Sequence, residues 1–75
     1  MKVLLFGVLI DAIGEKTIEM DTSPDANSLK ENLMLKHPIL RSYNFVIAIN
    51  KQIDYSDMTI NEGDEIALLP PFAGG

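Results

Sequence analysis

The residues best suited to chemistry are the last six, Pro70-Pro71-Phe72-Ala73-Gly74-Gly75. Two prolines fix φ and set an extended, semi-rigid exit in polyproline geometry. Gly74 and Gly75 carry no Cβ, so they enter a narrow channel with little steric demand. At about 3.3 Å per residue the segment reaches roughly 20 Å beyond the strand before it. The carboxylate of Gly75, at the tip, is the group read as reactive. Gly-Gly alone is weak, because many tails end in small residues. Its weight comes from the elements that precede it.

Other chemistry is sparse. The chain has no cysteine, which excludes disulfides, thiolate zinc sites and a cysteine nucleophile. The single histidine, His37, stands directly before Pro38 and reads as structural or surface rather than as part of a triad. Glu62, Asp64 and Glu65 place carboxylates close together, as acid–base pairs and cation sites require. In front of an apolar run they read instead as a charged turn. Gly7 and Gly14 do not have phosphate-loop spacing. The scattered methionines read as core fillers. No metal site and no bound cofactor are assigned to the chain.

Six Lys and Arg stand against eleven Asp and Glu, a formal charge of −5. Such a balance excludes nucleic acid and anionic membrane as main partners, since both require a basic surface. With 75 residues, 47% of them hydrophobic, the chain reads as one folded domain with a stability of roughly 4–11 kcal/mol. No apolar run reaches the 18 or so residues of a membrane span. The opening run carries one lysine, meets Asp11 at once and has no small-residue cleavage site. It reads as a strand of a cytoplasmic protein rather than a leader.

The elements that must position the tail follow from patterning. Lys2 to Ile10 is apolar at nearly every position, as in a strand covered on both faces at the middle of a sheet. Asp11 to Gly14 has room for one helical turn closed by glycine. Glu15 to Met20 alternates and reads as a half-buried antiparallel neighbour. Asp25 is the preferred N-cap of a helix whose inner face is Ala26, Leu29, Leu33 and His37, ended by Pro38. Residues 39–44 form a connection of unassigned shape. Phe45 to Ile49 is a third strand, Gln52-Ile53 a short return strand after a turn at Asn50-Lys51, and Glu65 to Leu69 the last strand. The loop from Asp54 to Asn61 is pinned by Tyr55, Met58 and Ile60. Glu62-Gly63-Asp64 is a turn.

The order β-β-α-β-β makes a two-layer α+β domain. First and last strands both lack polar alternation, so they pair in parallel at the centre, and the helix provides the crossover. This is the ubiquitin-like β-grasp: a mixed four- to five-stranded sheet with one main helix on one face. Residues 1–69 form the globular part and 70–75 an extended tail. With the helix on one side, alternation turns Leu4 and Phe6 to the other. Phe6, Ile53 and Leu69 are therefore candidates for an exposed apolar patch, the usual mark of a partner surface. The competing reading is that loop 39–44 or 54–61 folds over this face.

On these residues the sequence resembles the ubiquitin-like sulfur carriers, specifically the small subunits of molybdopterin synthase. The resemblance spans essentially the whole chain. It rests on Lys2-Val3-Leu4-Leu5-Phe6, on Gly14, on Ile49-Asn50, and above all on the run from Glu62 through Leu69, Pro70-Pro71 and Gly74-Gly75. The paired prolines point to the molybdopterin branch rather than to thiamine sulfur carriers. The resemblance implies that an E1-like activating enzyme uses ATP and magnesium to adenylate Gly75, and that a sulfur donor converts it to a thiocarboxylate. It further implies that Pro70, Pro71, Phe72, Ala73, Gly74 and Gly75 insert into the large subunit, within an expected heterotetramer. There sulfur passes to cyclic pyranopterin monophosphate, and the catalytic groups belong to the large subunit, so this chain is a cosubstrate rather than an enzyme. Phe6, Ile53 and Leu69 match positions that contact both partners. The family often has Arg-Glu where this chain has Ile10-Asp11; Ile10 is thus a further candidate for the apolar patch. Other readings are sulfur carriage for thiamine or tRNA thiolation, a protein modifier joined through Gly75, and a plain interaction module with an inert tail.

Overall fold

The computed structural model describes residues 1–53 and 57–71. In chain order the elements are β1 (Lys2–Leu5), α1 (Val8–Ile13), β2 (Thr17–Glu19), α2 (Ala26–Lys36), a 3-10 turn (Pro38–Ser42), β3 (Val46–Ile49), β4 (Gln52–Ile53) and β5 (Ile66–Leu69). The strands form one mixed sheet in the order β2-β1-β5-β3-β4. β1 and β5 are parallel at its centre, and every other pairing is antiparallel. This is the expected β-grasp, with a second, short helix beside the main one.

The opening run departs from expectation. It is not one strand to Ile10: β1 ends at Leu5, and Val8–Ile13 is helical. The break is at Gly7, with φ 60° and ψ −138°, a combination reserved for glycine. A continuous apolar run cannot by itself distinguish a buried strand from a helix packed on a core. Leu9 is fully buried, and Ile10 and Ile13 pack against the same cluster. Gly14, at φ 89°, closes the helix by donating its N–H to the Ile10 carbonyl at 2.7 Å, as a left-handed cap should.

The main helix follows its sequence signals. Asp25 caps it, its side chain accepting from the Ser28 N–H at 2.8 Å. Ala26, Leu29 and Leu33 are buried, and His37 ends the helix. The remaining first-turn donors are met from afar. Ala26 N–H donates to the Met58 carbonyl at 3.0 Å, and Asn27 N–H to the Asp57 carboxylate at 2.8 Å. Ile60 N–H donates to the Pro24 carbonyl, and Thr59 bridges Asp25. Residues 57–60 are thus docked on the N-terminus of α2.

Register places the core. Val3 pairs with Ile18 and Ile66, and Ile66 with Ile49; Leu5 pairs with Leu68, and Leu68 with Ile47. These rows face α2 and join Leu9, Leu29, Leu33 and Leu40 in one cluster. Connection 39–44 is the 3-10 turn, which buries Leu40 against both helices.

The free edge of β2 is capped. Met1 and Met20 exchange both ladder bonds, so Glu19, one step on, turns its backbone groups outward. The Lys36 ammonium donates to the Glu19 carbonyl at 2.7 Å.

Candidate functional site

The face of the sheet away from α2 is set by the alternate residues. Thr17, Leu4, Ala67, Ala48 and Ile53 make one row across all five strands. Leu69 and Val46 pair in the next row. Phe6 joins them one step beyond Leu5, its N–H donating to the Leu68 carbonyl at 3.2 Å. On the other side of the central row the pattern turns polar, with Glu19 opposite Lys2, and Asn50 bonded to Glu65. The face is therefore graded: charged at the start of β5, apolar at its end.

The middle of this face is buried, with Ala48 4% and Ala67 8% exposed, and only its end at Phe6 is open. The 3-10 turn sits against the helices and 57–60 sit at the start of α2, while residues 54–56 of the second loop lie outside the described residues. Phe6 is 44% exposed, while Leu69 and Ile53 are half-buried. Ala48 and Ala67 make the middle flat, because their side chains barely rise above the sheet. Ile10 does not extend the patch; it packs on the core from α1. Val8, the first residue of α1 and two residues from Phe6, is itself 45% exposed. Sequence reasoning missed it by counting Val8 into the strand. Cutting the run at Gly7 and reading Leu9 and Ile13 at helical spacing would have found it.

β5 delivers the chain to Pro70 at the apolar end of the face. Pro70 is half-buried and Pro71 exposed. The Pro70 ring lies against Gly7, where a Cβ would stand 2.9 Å from its Cγ. Phe72, Ala73, Gly74 and Gly75 lie outside the described residues, as does Tyr55.

The remaining candidates are structural in their contacts. Among the described residues the buried Nε2 of His37 has no hydrogen-bond partner. Asp64 accepts from the Asn61 N–H at 2.7 Å and from the Asn50 side chain at 2.9 Å. Those bonds, the backbone one foremost, hold its carboxyl below the ordinary aspartate value. Asn50, at φ 52°, also accepts from the Glu65 N–H at 2.9 Å. This polar lock ties the β3–β4 turn to the start of β5. A half-open cavity of about 910 Å³ lies at the same end, among Lys2, Thr22, Glu62 and Glu65, across the sheet from Pro70. Among the described residues no group of three His, Asp or Glu gathers to hold a metal ion, and no helix is long and apolar enough to cross a membrane.

Comparison with known proteins agrees with this geometry. The ThiS family model matches residues 3–75. The molybdopterin synthase sulfur carrier subunit of Mycobacterium tuberculosis is 31% identical, with 100% of this chain and 96% of that protein covered. Among solved structures, small archaeal modifier protein 1 of Haloferax volcanii superposes with a TM-score of 0.77 at 25% identity, over 95% of each chain. A chain in the complex of subunits 1 and 2 of the Helicobacter pylori molybdopterin-converting factor gives a TM-score of 0.67 at 27% identity, over 99% of this chain and 96% of that one. By the full-length match and by a central parallel strand pair that ends in Pro70-Pro71, this chain belongs to the ThiS family.

Proposed function

We propose that this chain is the sulfur carrier subunit of a molybdopterin synthase, with Gly75 as the atom-carrying residue. The observation that carries the reading is the family match running through Gly74 and Gly75, with relatives named as sulfur carrier subunits of that enzyme. The fold supplies the rest: a five-stranded sheet, an apolar end of its face at Phe6, Leu69 and Val46, and a chain that leaves the central strand there at Pro70.

The chemistry balances as follows. A Gly75 carboxylate oxygen attacks the α-phosphorus of ATP on an E1-like activating enzyme that holds the magnesium, and pyrophosphate leaves. Hydrosulfide released by a sulfur donor then displaces AMP at the carbonyl carbon, and loss of its proton leaves a thiocarboxylate. A thioacid is far more acidic than a thiol, so its sulfur is anionic and nucleophilic at neutral pH. In the synthase that sulfur attacks an oxygen-bearing carbon of cyclic pyranopterin monophosphate, where the carbon–oxygen bond breaks and the oxygen leaves. Water then cleaves the acyl–sulfur bond and restores the carboxylate. The large subunit provides the acid–base groups, and this chain provides the sulfur and the docking face of Phe6, Val8, Leu69 and Ile53. The likeness to a chain in the complex of subunits 1 and 2 of the Helicobacter pylori factor supports such a docking.

A second reading rests on the likeness to small archaeal modifier protein 1: Gly75, once activated, is captured by a lysine amine instead of sulfur. Both readings use the same adenylate and differ in the nucleophile.

Mass spectrometry separates them. Co-expression with an activating enzyme and a sulfur source should raise the mass by about 16 Da, the exchange of one oxygen for sulfur. The thiocarboxylated chain, mixed with a large subunit and the precursor, should then transfer its sulfur to the pterin. An unchanged mass sinks every carrier reading, branched peptides containing Gly75 support the modifier, and a loaded chain that leaves the pterin without sulfur removes the molybdopterin assignment.

A further inference from the structure

The turn between β1 and α1 does two jobs at once. It presents Phe6 and Val8, both nearly half exposed, and between them it places Gly7 under the first residue of the tail. A Cβ at Gly7 would meet Pro70 Cγ at 2.9 Å and Cδ at 3.5 Å. The shorter distance is one that real side chains essentially never show, and it is set by a ring that cannot rotate out of the way as a flexible side chain would. The backbone of Gly7, at φ 60° and ψ −138°, is a second reason for glycine there.

We propose that Gly7 is a positioning residue for the tail: by having no side chain it seats the Pro70 ring on the β1–α1 turn and so fixes the heading on which the backbone leaves the sheet. This deepens the sulfur-carrier reading and rests on it. Docking face and tail must engage a partner together, and here one turn fixes the relation between them. A tail that starts on another heading leaves docking intact but brings its tip to the active site less often. The loss therefore falls on kcat more than on KM, because a small misplacement of reacting atoms costs rate steeply. Relief of the contact from the other side restores part of it.

The test is a double-variant cycle on the full chain. Gly7→Val, Pro70→Ala and the combined variant are loaded with sulfur by the activating enzyme with ATP, magnesium and a sulfur donor, and kcat and KM for the carrier are measured beside the melting temperature. Gly7→Val should lower kcat by about tenfold or more with KM changed less than kcat. Adding Pro70→Ala should return the part of the loss that the Cγ contact causes, so that the combined variant loses clearly less than the product of the two single losses. Gly7→Ala, a milder change, replaces Gly7→Val if the latter does not fold, and should give a smaller loss relieved in the same way. A Gly7→Val chain that loads like the unsubstituted protein overturns the proposal. So does a combined variant whose loss is the product of the two single losses, the mark of independent sites. Failure of the unsubstituted chain to gain sulfur is a different result, which removes the carrier reading itself.

Discussion

Phe6 is a large aromatic held in the open by a central strand that has just ended. Its neighbours on the face, Leu69, Val46 and Leu4, are half-buried, so Phe6 and Val8 hold most of the side-chain surface available to a partner. Phe6→Asp should weaken binding to the large subunit or the activating enzyme several-fold or more, measured by calorimetry, while melting within a few degrees of the parent. A large fall in melting temperature would show that Phe6 serves the core instead. Asp64 makes a prediction of the other kind. Its folded pKa lies below the ordinary 3.8 because the carboxylate accepts the Asn61 N–H and the Asn50 amide. A depressed folded value stabilises the protein above the unfolded pKa, and the contribution is lost as pH falls through the folded one. Asp64→Asn should therefore melt lower than the parent at neutral pH, with the gap closing below pH 3.8. A gap that persists unchanged in acid would assign the effect to packing.

At the scale of elements, α2 shows how far local signals carry. Asp25, the Leu29–Leu33 spacing and Pro38 mark its start, face and end, and all are read within one short stretch, from 25 to 38. The capping of Asn27 by Asp57 lies 30 residues away and has no local trace, since an aspartate in a polar loop looks like any other. Asp57→Ala should cost about 1 kcal/mol, as N-terminal caps do, visible as a fall of several degrees in melting temperature. Asp57→Asn, which keeps an acceptor oxygen, should recover part of it. The opening run was misread for the opposite reason: Val3 to Ile10 is apolar throughout, so period carries no information, and only Gly7 marks the join. Val8 vanished from the candidate site through that one boundary, whereas Phe6, Leu69 and Ile53 were legible because their strands alternate against a helix that covers a single face.

At the scale of the whole molecule, the core cluster of the described residues runs from Val3 to Leu68. Removal of Gly75 should leave the melting temperature unchanged and abolish sulfur loading. If the shortened chain still gained about 16 Da, the reactive carbonyl would have to lie elsewhere. The net charge of −5 acts at this scale too, favouring encounter with partners of opposite sign.

Lys36 adds a last consequence. A flat, unpaired strand edge invites identical chains to stack edge to edge into ribbons, and natural sheets resist this with short edges and lysines. β2 is three residues long, and the ammonium of Lys36 already occupies the outward carbonyl of Glu19. An approaching extended chain meets a cation where it needs a free acceptor. The sheet thus has a rim that discourages fibrils.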